Sequence, residues 1–158
     1  NRNICKIFGF NSRLDTIQAT VANYKMKYKL KNITTKRIKN AHLFDSLLKS
    51  NPNVKAVKRL PHLKEVFHLY QLNVKNRNKL QKFLINNSVD AKVHYPIPIH
   101  LQTASKYLKY KRGDFPVAET MAKTTLSLPI HEFITKKDIK FVANLINKFL
   151  FSDTPLKI

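Results

Sequence analysis

The sequence of 158 residues contains one cysteine, two glycines, no tryptophan and only nine acidic residues. With Cys5 alone, no internal disulfide and no multi-thiolate metal site can form, and a reducing, cytoplasmic setting is expected. Gly9 and Gly113 are too few and too far apart for a glycine-rich phosphate loop. No apolar run approaches the roughly 20 residues that span a bilayer, so no membrane partner is expected. The N-terminus lacks the charged-then-apolar pattern of a secretory signal. The first residue is Asn1 and it opens inside patterned sequence, so the stretch is expected to belong to a longer polypeptide.

What is abundant is positive charge: 30 Lys and Arg against nine acids give a formal net charge of +21. Such an excess raises nucleic acid, anionic membrane or a polyanionic substrate as partners. The lysines are scattered along every predicted helix and turn, which favours a solvated basic surface over a dedicated nucleic-acid face. A phosphate-bearing ligand would still be attracted by this field. With 43% hydrophobic and 25% charged residues the composition is that of an ordinary globular chain.

Apolar residues at Leu14, Ile17, Val21, Tyr24 and Tyr28, resuming at Ile38, Ala41, Phe44 and Leu48, follow helical spacing and predict one long helix with a buried stripe. A bend is expected near Thr34 and Thr35. Asn11 and Ser12 are candidate N-caps, Ser12 and Asp15 stand in capping-box register, and Ser50-Asn51-Pro52-Asn53 marks the end. Beyond it, strands are predicted at Val54–Val57, Val66–Val74, Val89–Tyr95 and Thr125–Leu128. Helices are predicted after Asn76, around Leu101–Leu108, from Pro116 to about Ala122, and from a Thr135/Asp138 capping box onward. The fold class is therefore α+β, with helices covering one face of a mostly antiparallel sheet. Residues 1–50 read as an interface segment with a long linking helix, 51–151 as a small α+β domain and 152–158 as a tail.

Two stretches could carry chemistry. Gly9-Phe10-Asn11-Ser12-Arg13 puts a permissive glycine, small polar residues and an arginine where a helix opens, and unpaired N–H groups there favour an anion. The alternative is a plain capped terminus with Arg13 in solvent. In His94-Tyr95-Pro96-Ile97-Pro98-Ile99-His100-Leu101-Gln102 the prolines stiffen the backbone, so His94, Tyr95 and His100 project from a fixed loop. The alternative here is a strand end with surface histidines. A metal site is disfavoured, because Asp90 is the only nearby acid in sequence. His68 reads as structural, and no local motif supports a Ser or Cys nucleophile.

Together, GFNSRLDTIQA (9–19), VFHLYQL (66–72), HYPIPIHLQ (94–102) and GDFPVAE with TLSLPI (113–130) resemble the C-terminal part of the DegT-type nucleotide-sugar aminotransferases. These are pyridoxal-phosphate enzymes of the aspartate-aminotransferase-like fold type I, and the resemblance implies their C-terminal small domain. It implies that Asn11 contacts the cofactor phosphate of a neighbouring subunit and that Arg13 is a charge partner for cofactor or substrate phosphate. His94, Tyr95 and His100 become candidate substrate contacts near the sugar pocket. The implied reaction moves an amino group, usually from glutamate, to a nucleotide-linked keto sugar, in sites shared by a homodimer.

Transamination also needs a lysine to form a Schiff base and an acid to keep the pyridine nitrogen protonated. In the resembling family both lie on an N-terminal domain, upstream of the G-[FY]-N-x-R segment. No lysine here stands in the family's S-x-x-x-x-K-x-[IL] context, so no catalytic residue is assigned and this stretch is expected to be inactive without that domain. A non-catalytic basic structural or nucleic-acid-binding module is the alternative.

Overall fold

The computed structural model describes residues 3–9, 13–57 and 59–152. Helices α1 (Thr16–Tyr28) and α2 (Leu30–Leu48) lead into strand β1 (Lys55–Ala56), strand β2 (Tyr70–Asn73) and helix α3 (Arg77–Asn86). Two 3-10 segments, Ile99–Leu101 and Thr103–Leu108, precede α4 (Pro116–Thr124), β3 (Thr125–Leu128) and α5 (Lys136–Ser152). The three strands form an antiparallel sheet in the order β1-β2-β3.

The alternation of strand side chains gives the sheet two unlike faces. Tyr70 and Leu72 pair in register with Leu128 and Leu126, and all four are buried in the apolar core with residues of α2, α3 and α5. Phe44 of α2 stacks on the Tyr70 ring at 4.8 Å, and the Tyr70 hydroxyl donates to Asp45 at 2.9 Å. Burial, with the Asp45 carboxylate beside it, pushes the Tyr70 phenol well above its ordinary range. On the other face Gln71 pairs with Ser127 and Asn73 with Thr125. Asn73 accepts from the Thr124 and Thr125 hydroxyls at 3.1 and 2.9 Å, which satisfies polar groups that burial would otherwise penalise.

The Thr135/Asp138 capping box is present. Thr135 N–H and hydroxyl donate to Asp138 at 2.9 and 2.6 Å, and the Asp138 N–H donates back to the Thr135 hydroxyl at 3.2 Å. Pro116 opens α4, where its missing N–H costs nothing.

Other expectations are corrected. The long helix breaks at Lys29 (φ −122°), not at Thr34 and Thr35. Thr35 is accommodated within α2, its hydroxyl donating to the Lys31 carbonyl at 2.8 Å. The cap of α1 is Asp15, which accepts from the Gln18 N–H at 2.8 Å; Asn11 and Ser12 lie outside the described residues. The stripe Leu14, Ile17, Val21, Tyr24 and Tyr28 is exposed, whereas Ala41, Phe44 and Leu48 are buried. The reason is reach: α2 packs on α5, and α1 buries none of its residues.

No strand forms at Val89–Tyr95. The Ala91 N–H turns back to the Val89 carbonyl at 2.8 Å and the Ala91 carbonyl accepts from Gln81 at 3.0 Å, so neither joins a ladder. What remains is a single bridge, Lys92 with Ser127. Of the expected tail, Ser152 closes α5 and the residues after it lie outside the described ones.

Candidate functional site

The polar face of the sheet borders a cleft of about 520 Å³. Gln71 and Thr125 form its floor, Ala118, Met121 and Ala122 of α4 one wall, and the segment from His94 to Phe115 the remainder. The lining is mostly apolar and aromatic with a few convergent polar groups, the usual character of a small-molecule site. It contains no lysine.

The wall formed by α4 is held from behind by Arg77. Its guanidinium is buried and donates to the carbonyls of Thr125 and Ala122 at 2.8 and 3.0 Å, filling acceptors that the end of α4 leaves open. Burial pushes the Arg77 pKa down. Sequence reading assigned this residue no role.

His94, Tyr95 and His100 all line the cleft. His94 Nδ1 lies 3.0 Å from the Ser127 hydroxyl, and the Gln71 amide lies 3.5 Å from both that hydroxyl and the His94 carbonyl. Tyr95 is exposed, its ring edge-on to His94 at 5.4 Å. His100 is covered: its Nε2 lies 3.1 Å from Glu119 Oε1, and its ring packs on Phe115 at 4.8 Å. Glu119 also accepts the Gly113 N–H at 2.7 Å, and that bond, ahead of His100, holds its carboxyl below the usual carboxylate range against the opposing effect of burial.

Gln102, the last residue of the proline loop, ties the start of the chain to this wall. Its amide oxygen accepts from the Cys5 N–H at 2.9 Å, its amide nitrogen donates to the carbonyls of Asn3 and Ile97 at 3.1 and 3.3 Å, and the Ala104 N–H donates to the Cys5 carbonyl at 3.0 Å. Phe8 meets Tyr107 edge-on. The segment leading into Gly9 therefore runs beside the loop.

Arg13 is exposed, two residues before the cap of α1, and does not line the cleft. Asn11 lies outside the described residues. His68 is exposed, and its carbonyl, not its ring, accepts from Arg37. Among the described residues no cluster of His, Cys, Asp and Glu could hold a metal ion, and no helix is long and apolar enough to cross a membrane.

Gln71, Ser127 and Glu119 were missed by sequence reading. Glu119 and Ser127 lie within the quoted GDFPVAE and TLSLPI runs and Gln71 within VFHLYQL, but nothing local distinguishes a polar residue beneath a loop from one facing solvent.

Comparison with known proteins adds a family. Residues 1–147 match the DegT/DnrJ/EryC1/StrS aminotransferase family. A "pleiotropic regulatory protein" of Geobacillus stearothermophilus is 34% identical over 145 residues, covering 90% of this chain and 39% of the relative. The dTDP-3-amino-3,6-dideoxy-alpha-D-galactopyranose transaminase of Aneurinibacillus thermoaerophilus is 28% identical, covering 89% of this chain and 38% of its own length. The crystal structure of DesV from S. venezuelae superposes with a TM-score of 0.83 at 29% identity, over 90% of this chain and 38% of that one. The chain thus spans well under half the length of these relatives.

Proposed function

This chain belongs to the DegT/DnrJ/EryC1/StrS aminotransferase family, and on that premise we propose that it supplies the sugar-facing, C-terminal part of a transaminase acting on a nucleotide-linked keto sugar, with glutamate as the usual amino donor. The single observation that carries this reading is the convergence of His94, Tyr95 and His100 on one mostly apolar cleft. An aromatic and aliphatic lining with a few fixed polar groups suits a deoxygenated hexose, whose ring has both apolar faces and hydroxyls.

Members of the family depend on pyridoxal phosphate. The residues present fit part of that group only. Arg13 forms no ion pair among the described residues, so its exposed guanidinium is available to a phosphate as a planar set of donors. By the family resemblance Asn11 would be a further, neutral donor to the phosphate. The cleft has no lysine to offer the cofactor's aldehyde, so the covalent anchor belongs to a complementary domain. When bound, the cofactor supplies an electron sink for the carbanion of amino transfer. This chain's own residues bind and orient the sugar and shield it from water.

The exposed apolar stripe of Ile17 and Val21 on α1, with Leu14 just before it, supports docking of such a domain and assembly as a homodimer. Combining this polypeptide with the lysine-bearing domain of a relative should restore a change in the cofactor's visible absorbance on adding glutamate or nucleotide sugar. Reconstitution that binds cofactor yet shows no such change would overturn the proposal. Tight, steeply salt-dependent binding of DNA or RNA would instead favour the nucleic-acid alternative raised by the +21 charge.

A further inference from the structure

We propose that Glu119 is the positioning residue of this cleft: one buried carboxylate oxygen fixes the proton of His100 on Nε2 and pins the Gly113 turn, so that the loop histidine and the aromatic wall meet the sugar in a single arrangement. The inference rests on the cleft being the sugar wall.

The side chains of Glu119 and His100 are 9% and 8% exposed, and the same oxygen, Oε1, lies 2.7 Å from the Gly113 nitrogen and 3.1 Å from His100 Nε2. An ionised carboxylate can only accept, so both neighbours must present protons to it. A neutral imidazole has one proton to give. It is therefore held on Nε2, and Nδ1 is left as the acceptor of His100, suited to a hydroxyl that donates.

The second bond of that oxygen reaches a turn that only a flexible residue can make. Gly113 has φ +102°, a conformation that side-chain-bearing residues rarely adopt. The turn is closed by the Lys111 N–H donating to Asp114 at 2.8 Å. Immediately after it, the Phe115 ring packs on His100 at 4.8 Å and on Tyr110 at 4.9 Å. Glu119 thus joins α4, the proline loop and the aromatic turn at one atom.

His94 provides the contrast. Its partner is the Ser127 hydroxyl, which can donate or accept, with the Gln71 amide 3.5 Å away from that oxygen. The tautomer of His94 depends on how a hydroxyl rotates, whereas that of His100 is dictated by a carboxylate.

The test uses the 158-residue chain itself, labelled with nitrogen-15. Long-range proton–nitrogen spectra would be recorded at about pH 8, where an ordinary imidazole is neutral. His100 should carry its proton on Nε2 in the wild type and in E119Q, whose amide oxygen can still accept. In E119L the ring should become a mixture of tautomers, and the Gly113 amide should exchange about ten-fold faster. An unchanged tautomer and unchanged Gly113 exchange in E119L would overturn the proposal. Should E119L fail to fold, the wild type still decides, because a neutral His100 with its single proton on Nδ1 contradicts it outright. None of these readouts involves turnover. Loss of the tautomer in E119L, together with a wild type that never supports sugar transamination, would sink the functional reading and leave only the hold of Glu119 on His100 and the Gly113 turn.

Discussion

Helices α1 and α2 are nearly continuous along the chain and share one apolar rhythm, yet they end in opposite environments. The Lys29 N–H reaches back to Lys25 at 2.9 Å and the Ile33 N–H to Lys29 at 3.0 Å, so helical bonding runs up to the break from both sides. Past it, Ala41, Phe44 and Leu48 face α5 and the sheet and are buried, whereas before it Ile17 is 79% exposed. Periodicity states that a face is to be covered. It does not state what covers it, and for α1 the proposed answer is a body that this chain does not contain.

The contrast can be broken most directly by truncation. Phe44→Ala should cost about 3–5 kcal/mol in chemical denaturation, because it opens a cavity against the stacked Tyr70. Ile17→Ala in the same chain should change stability by less than about 0.5 kcal/mol. A large cost for the second would show that α1 is already packed in solution.

The roles should reverse in assembly. Ile17→Asp should weaken association with a lysine-bearing partner domain by about ten-fold or more, through loss of apolar burial and the cost of covering a charge. Sedimentation or titration calorimetry would measure it, and unchanged affinity would remove α1 from the interface.

The caps sharpen the comparison further. Thr135→Ala should cost about 1 kcal/mol of global stability, since α5 is part of the core. Asp15→Ala should lower helical circular dichroism without moving the unfolding midpoint, since α1 buries nothing.

The smallest effect concerns acid. Hydrogen bonds from the Thr135 hydroxyl and then its N–H hold the Asp138 carboxyl below its ordinary range, so its contribution to stability is present above that range and is lost as pH falls through the lowered value. An acid titration of the midpoint should therefore turn down below about pH 4, and Asp138→Asn should flatten that limb.

Much of this was legible because its causes are local. The capping box at Thr135, the proline opening α4 and the alternation Tyr70, Leu72 each depend on neighbours a few residues away, so pattern and outcome agree. Val89–Tyr95 carried an equally good alternation and formed no strand, because Gln81 and a tight turn took the backbone groups of Ala91. Gln81 lies 10 positions from Ala91, outside the alternating stretch. The site divides the same way: the stiff histidine loop stood out by composition, whereas Glu119, Ser127 and Gln71 acquire meaning only from what lies against them.

The sequence alone determined that a proline-fixed loop would present His94, Tyr95 and His100, that helical and alternating stripes would build an α+β body, and that no cofactor lysine of the family's context is present. Only tertiary structure decided which stripe is buried, which nitrogen of His100 meets a carboxylate, and that the chain's opening segment is tied to the loop by Gln102. Spacing along a chain sets which side chains share a face. Hydrogen bonds and burial depend on distances between segments that lie far apart in sequence, 99 positions in the case of Asn3 and Gln102.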